Sequence, residues 1–389
     1  MAKSSYIGVD GISKKVKKIY IGIDGIARKV KKAWIGINGI ARLFFSGNEL
    51  SYYGTTLKPL SAARYGLAAT TVGDYALFAA SGNTPTAAIV DAYGKDLMHY
   101  IPKEQLSIAK FNLAATTFGN YALFGGGRKA DSSIIPMNTV EYYDKDLMRG
   151  TLEFSLSVAR HNLAATATED YAFFGGGTGD NSTYTNTVDV YDRDLIRFDS
   201  DKPLSIPRCS LAAVSIGDYA VFGGGHSGLG APSNVIDAFN GLTRLTSTID
   251  PLSIARSGLA VATVGNYILF AGGNKHEANI RLDTVDVYDK DLIRSTSTIE
   301  SLSVARYELA ATTVGDYALF GGGISTSIDG VEVDTIDVYD ALLIRTVESL
   351  SAARYGLAAT TVGDYALFGG GRKISDNNVL DIVDVYQIS

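Results

Sequence analysis

The chain has 389 residues, 46% of them hydrophobic, with 42 glycines, 8 prolines and a formal net charge of −6. That composition excludes a disordered polymer, and the single cysteine, Cys209, excludes an intramolecular disulfide framework. No apolar run approaches the eighteen residues of a membrane-spanning helix, so membrane insertion is not expected.

The net charge conceals a split. Residues 1–47 hold ten Lys or Arg against two Asp, a balance of +8, and the remainder holds 25 basic against 39 acidic residues, a balance of −14. The basic segment is a repeat of fourteen residues. Tyr6-Ile-Gly-Val-Asp-Gly-Ile, Tyr20-Ile-Gly-Ile-Asp-Gly-Ile and Trp34-Ile-Gly-Ile-Asn-Gly-Ile align without gaps. Asp10-Gly11, Asp24-Gly25 and Asn38-Gly39 suit two-residue hairpin turns, and Lys17, Lys18, Lys31 and Lys32 fall between the hairpins. Three hairpins in series are too small to hold a core alone. They must pack on each other, on another copy of the chain or on a larger assembly. A basic tail can bind nucleic acid, but the lysines flank a regular hairpin pattern without a stacking platform, so a docking module is expected and nucleic acid is not.

From residue 60 a longer repeat begins. Relatives of Leu-Ser-x-Ala-Arg start at Leu60, Leu106, Leu156, Leu204, Leu252, Leu302 and Leu350, at spacings of 46, 50, 48, 48, 50 and 48 residues. A period of this size means a propeller, a solenoid or an array. In the unit from Leu302, Leu309–Val314 and Tyr317–Phe320 are short strand-like runs joined by Gly315-Asp316, a hairpin turn. Ile336–Tyr339 alternates apolar with polar, a fourth strand is expected over roughly 343–348, and helical periodicity is absent. Four antiparallel strands in each of seven units predict an all-β fold, a seven-bladed β-propeller over 48–389 behind a small hairpin-repeat module over 1–47. The chain ends in the third strand of blade seven, so residues 48–59 are expected to supply its fourth strand and remove the open edge.

The glycines after an aromatic-rich strand (Phe320-Gly321-Gly322-Gly323), the Val-Asp-Val-Tyr-Asp strand and the Ala-Arg before the first strand resemble the kelch repeat, over about 330 residues. Kelch repeats carry a tryptophan before the fourth strand; here that place holds Leu195-Ile196 or Leu292-Ile293. The fourteen-residue pattern resembles short repeats of tail-associated and other virion proteins of phages and prophages. That resemblance implies a part that attaches to a particle, with the propeller displayed outward.

Candidate site residues follow from the repeats. Arg64, Lys110, Arg160, Arg208, Arg256, Arg306 and Arg354 occupy one repeat position, and seven blades set seven cations around one mouth of the channel. By resemblance to kelch domains this region engages acidic ligands; the competing reading pairs each cation with a carboxylate of a neighbouring blade. The repeated aspartates Asp189, Asp286, Asp337 and Asp384 are read as serving turns and strand pairing. The loops at 128–138, 178–186, 226–234, 274–283, 324–334 and 372–381 vary, and are expected at the same end as the cations, where loops on a rigid scaffold carry recognition. Tyr184, His226 and His276 lie in them, and the last two follow glycine strands of adjacent blades. The four histidines lack metal-ligand spacing, and the chain has no Gly-x-Ser-x-Gly elbow, phosphate loop or His-Glu-x-x-His. No enzyme, metal or cofactor is expected.

The resulting expectation is a structural component of a phage or prophage virion. Tyr6, Tyr20, Trp34 and the inter-hairpin lysines anchor it to other virion proteins, and the propeller faces a host glycan or protein. The absence of an export signal fits assembly in the bacterial cytoplasm. The alternative is an intracellular bacterial kelch protein whose cation ring grips an acidic protein partner.

Overall fold

A computed structural model describes the backbone of the strands within residues 6–46. From residue 49 it describes the chain except 57, 83–85, 132–134, 200–202, 229–230, 246–248, 276–279, 297–298, 326–329 and 389. It is an all-β, seven-bladed β-propeller.

Blade six shows the plan. The inner strand Ala310–Val314 pairs antiparallel with Tyr317–Gly321, that with Thr335–Asp340, and that with Arg345–Ser349. The fourth strand therefore starts two residues later than the sequence suggests. In blade five it shrinks, among the described residues, to one bridge between Tyr288 and Arg294. Inner strands of neighbouring blades lie side by side around the whole ring, with blade seven beside blade one.

The inner Leu-Ala-Ala-Thr-Thr strands suit the crowded axis because their threonines bond across blades. Thr70 Oγ1 lies 2.8 Å from Thr117 Oγ1, and Thr71 Oγ1 lies 2.9 Å from Thr360 Oγ1. Between blades sit the second-strand phenylalanines and third-strand tyrosines, packed edge to face as in Phe320–Tyr339 at 6.0 Å. The motif leucines join them: Leu60, Leu106, Leu156, Leu204, Leu252, Leu302 and Leu350 are all buried. Each contributes about 1.5–3 kcal/mol from apolar burial.

In the five blades that carry Phe-Gly-Gly-Gly, the first two glycines explain the interlock. A Cβ on Gly175 would lie 2.7 Å from the Phe222 ring of the next blade, and one on Gly176, at φ +66°, would lie 2.5 Å from the Arg208 carbonyl. Glycine accepts the close approach and the left-handed backbone most readily, and blade one is an exception, with Ala79 and Ala80 at these places and Ala80 at φ +71°.

Ring closure follows the expectation. Leu50–Thr55 pairs antiparallel with Val383–Ile388 as the fourth strand of blade seven, with a bulge at Tyr53. Leu50 lies opposite Ile388, whose N–H donates to the Asp364 carbonyl in the first hairpin turn of that blade. The chain thus enters the ring at the end that carries the first-to-second and third-to-fourth strand turns. The second-to-third strand loops lie at the opposite end.

In the N-terminal segment, Tyr6–Val9 pairs with Ile12–Lys15, Ile19–Ile23 with Ile26–Val30, and Lys32–Ile37 with Ile40–Ser46, as three separate hairpins. The turn residues, Lys17, Lys18 and Lys31 lie outside the described residues.

Candidate functional site

The repeated cations are not a solvent-facing ring. All seven, Arg64, Lys110, Arg160, Arg208, Arg256, Arg306 and Arg354, are fully buried. Each meets a third-strand carboxylate of the blade it introduces: Arg160 with Asp189 at 2.7 Å, Arg208 with Asp237 at 2.9 Å, Arg256 with Asp286 at 2.8 Å, Arg306 with Asp337 at 2.8 Å, Arg354 with Asp384 at 2.7 Å, and Arg64 with Asp91. A buried ion must be paired and hydrogen-bonded. A guanidinium spent in this way cannot grip an acidic partner, so the seven residues leave the candidate binding set.

The same geometry explains the whole Leu-Ser-x-Ala-Arg motif. The backbone at the cation belongs to the preceding blade: Arg306 N–H donates to the Leu282 carbonyl at 3.1 Å, and Gly273 N–H donates to the Arg306 carbonyl at 2.9 Å. The side chain belongs to the following blade, where Arg306 also donates to the Phe320 and Val304 carbonyls at 3.0 Å each. The motif serine donates its N–H to the same carboxylate, Ser303 to Asp337 at 3.0 Å. The motif is therefore a staple between consecutive blades. Asp189, Asp286, Asp337 and Asp384 are its buried receptors rather than turn residues. Asp192, Asp289 and Asp340 do cap turns, as where Asp192 accepts from the Asp194 and Ile196 amides at 3.0 and 2.9 Å.

Blade two changes both partners at once. Lys110 Nζ lies 3.0 Å from Glu141 Oε2, so a shorter cation meets a longer acid. Burial works to raise the Glu141 pKa, but the Lys110 ammonium and the Ser107 amide outweigh it and hold the carboxyl below the usual glutamate range. Blades two to six add a second cation, a guanidinium from the outer edge, such as Arg345 to Asp337 at 2.8 Å. Blade one uses His99, 2.6 Å from Asp91, and blade seven uses Tyr52, whose hydroxyl donates to Asp384 at 2.8 Å. Partial burial and that carboxylate push the Tyr52 pKa up to about 12, so it stays a donor at neutral pH.

What remains for recognition is the mouth of the channel. Two residues after each cation the chain turns through a left-handed residue: Gly66, Asn112, Asn162, Ser210, Gly258, Glu308 and Gly356, all at φ between 53° and 65°. These residues form a hydrogen-bonded belt from blade to blade. Asn162 N–H donates to the Asn112 carbonyl at 2.9 Å, Ser210 to Asn162 at 2.9 Å, Gly258 to Ser210 at 3.2 Å, Glu308 to Gly258 at 3.0 Å, Gly356 to Glu308 at 3.4 Å, and Gly66 to Gly356 at 2.8 Å. Glu308 is the one charged member. Its side chain is open to channel water, yet the surrounding protein raises its pKa by desolvation, and the Arg281 charge only partly reverses this.

Above the belt stand the residues that directly follow the cations. They include Tyr65, Phe111, Tyr307 and Tyr355, and loop guanidiniums stack on three of them. Arg128 lies 4.2 Å from the Phe111 ring centre, Arg281 4.7 Å from Tyr307 and Arg372 5.1 Å from Tyr65. Glu308, Arg281 and Tyr307 thus form the unequal group that the repeat pattern hides.

The other candidates lie across the mouth. Tyr184 and His226 come together, ring centres 5.2 Å apart, and His226 Nδ1 is 3.4 Å from Cys209 Sγ. That thiol is buried, and desolvation raises its pKa, the wrong direction for a nucleophile. His276 lies outside the described residues. Among the described residues no group of three His, Cys, Asp or Glu could hold a metal. Of the N-terminal candidates, Tyr6, Tyr20 and Trp34 fall on the first strand of each hairpin and Lys32 begins the fifth.

Fold and mouth together define a β-propeller with an asymmetric, aromatic-rich opening. Comparison with solved structures places the chain beside one titled "Structure of YjhT", with a TM-score of 0.56 at 12% sequence identity, covering 85% of this chain and 99% of that one. The likeness is one of fold. No protein-family model matches the chain, and no curated protein matches it in sequence.

Proposed function

We propose that the protein is a non-enzymatic, kelch-type binding component of a phage or prophage particle. The N-terminal hairpins attach it to other virion proteins, and the mouth of the propeller meets a host-surface glycan or protein. The observation that carries this reading is polarity. The chain leaves the ring at Leu50, at the end opposite the variable loops, so an anchor over residues 1–47 directs the mouth away from whatever it binds. The Glu308, Arg281 and Tyr307 group, with the stacked Tyr65 and Arg372, is the recognition patch; aromatic faces and charge-bearing donors in one opening suit a polar, hydroxyl-rich ligand. The acidic-partner alternative drew on an exposed cation ring, and those cations are paired internally.

The test is immunogold electron microscopy of particles from an induced lysate, comparing the full chain with one lacking residues 1–48. Label on particles that disappears with the deletion, while the truncated chain stays folded and soluble, supports the reading. Unlabelled particles with the full chain left soluble overturn it.

A further inference from the structure

Two opposite charge excesses of this chain meet at one end of the ring. The first hairpin turns lie at 73–74, 119–120, 169–170, 217–218, 265–266, 315–316 and 363–364. The third-to-fourth strand turns lie at 94–97, 144–147, 192–195, 240–241, 289–292 and 340–343. Together they carry fourteen Asp or Glu against four Lys or Arg, a balance of −10. The two sets of turns share one face: Lys95 N–H donates to the Asp74 carbonyl at 3.2 Å, and Arg193 reaches Glu169 at 2.9 Å and Asp170 at 3.0 Å. Most of these carboxylates stand in solvent, including Asp74, Asp146, Asp170 and Asp291. The variable loops at the opposite end, over the six spans given above, sum only to −3. The negative charge of the propeller is therefore concentrated on one face.

The +8 segment joins the ring on that face. Leu50 pairs with Ile388 beside the blade-seven turn, and Glu49 is close enough to Tyr317, at the foot of blade six, to act on its phenol. Two residues, 47 and 48, separate the last hairpin from this point. A partner held by so short a tether is present at an effective concentration of about millimolar or above, and complementary charge favours contact at each approach.

We propose that the acidic turn face is the docking surface for the chain's own basic hairpin module. The contact is electrostatic, between the Lys and Arg of residues 14–42 and the turn carboxylates, and a more acidic surface can displace it. This goes beyond the role on a particle and does not depend on it.

The experiment is carbodiimide cross-linking of the full chain, which joins Lys to Asp or Glu in direct contact. An equal mixture of isotopically light and heavy chains separates links within one chain from links between two. The expected result is links within one chain from Lys14, Lys15, Lys29 or Lys32 to the turn carboxylates. Raising salt from about 0.01 M to about 1 M shrinks the Debye length from about 30 Å to about 3 Å and should cut them roughly tenfold, with the Lys95–Asp74 link as the internal reference. Two variants guard the outcome. Reversing Lys14, Lys15, Lys17 and Lys18 to Glu should remove the links from that hairpin and weaken those from Lys29 and Lys32, and combining Asp218→Asn, Asp316→Asn and Asp364→Asn, which keeps the reference pair, should weaken those to the remaining turns. Links that are absent at low salt, insensitive to salt, directed to the mouth loops or chiefly between chains would overturn the proposal. Incorporation into particles is not read, so failure here leaves the proposed function standing.

Discussion

At the scale of the residue, the decisive fact is that a repeated charge is buried. Asp337 receives Arg306, Arg345 and the Ser303 amide in a site closed to water. Removing it strands two guanidiniums, a change that costs about 3–5 kcal/mol for buried pairs; the exposed Asp74 paired with Lys95 should cost about 0–1 kcal/mol. Denaturant melts of Asp337→Ala and Asp74→Ala should separate by that margin, and equal midpoints would refute the staple. The blade-two exchange offers a sharper check. Lys110→Arg and Glu141→Asp should each destabilise, and the double variant, which restores the pair used by six blades, should lose less than the sum, as a double-mutant cycle would register. Glu308 behaves oppositely to a stabilising carboxylate. Its folded pKa is raised, so its contribution to stability is present at low pH and lost as pH rises through that value. Glu308→Gln should therefore raise the melting temperature more at pH 8 than at pH 4, and a gain of equal size at both would contradict the desolvated carboxyl.

Within the blade, the strands were legible because their signals are local. The Gly-Asp turns, the alternation in Val-Asp-Val-Tyr and the glycine triplets sit in consecutive residues, and the unpaired third strand at the C-terminus pointed to residues 48–59. The staple was not legible in the same way. Arg-Asp repetition reads alike whether the pair is exposed or buried, and the partners lie 27 to 31 residues apart. The mouth was hidden more deeply. Glu308 stands where other blades carry Gly, Asn or Ser, and only the ring brings it to Arg281 and to the belt. The closing strand makes its own prediction. Tyr52→Phe removes the outer-edge donor to Asp384 and should cost about 1 kcal/mol, whereas deleting residues 49–56 should expose the edge of blade seven and turn a cooperative melt into aggregation on heating. A reversible, single transition in the deletion would show that closure is dispensable.

Across the whole molecule, the ring separates two surfaces. One end presents loops, stacked guanidiniums and a single channel carboxylate; the other presents turns, most of the negative charge and the junction with the basic hairpins. The closing strand runs between them, Leu50 opposite Ile388 at the acidic end and Thr55 opposite Asp384 toward the mouth. Its ladder bonds lie across the direction of that strand. A pull applied between the mouth and the N-terminal segment therefore loads these bonds together, in shear, and cannot peel them one at a time. The seam that closes the ring is also the joint that bears tension, oriented so that force along the axis meets its strongest direction.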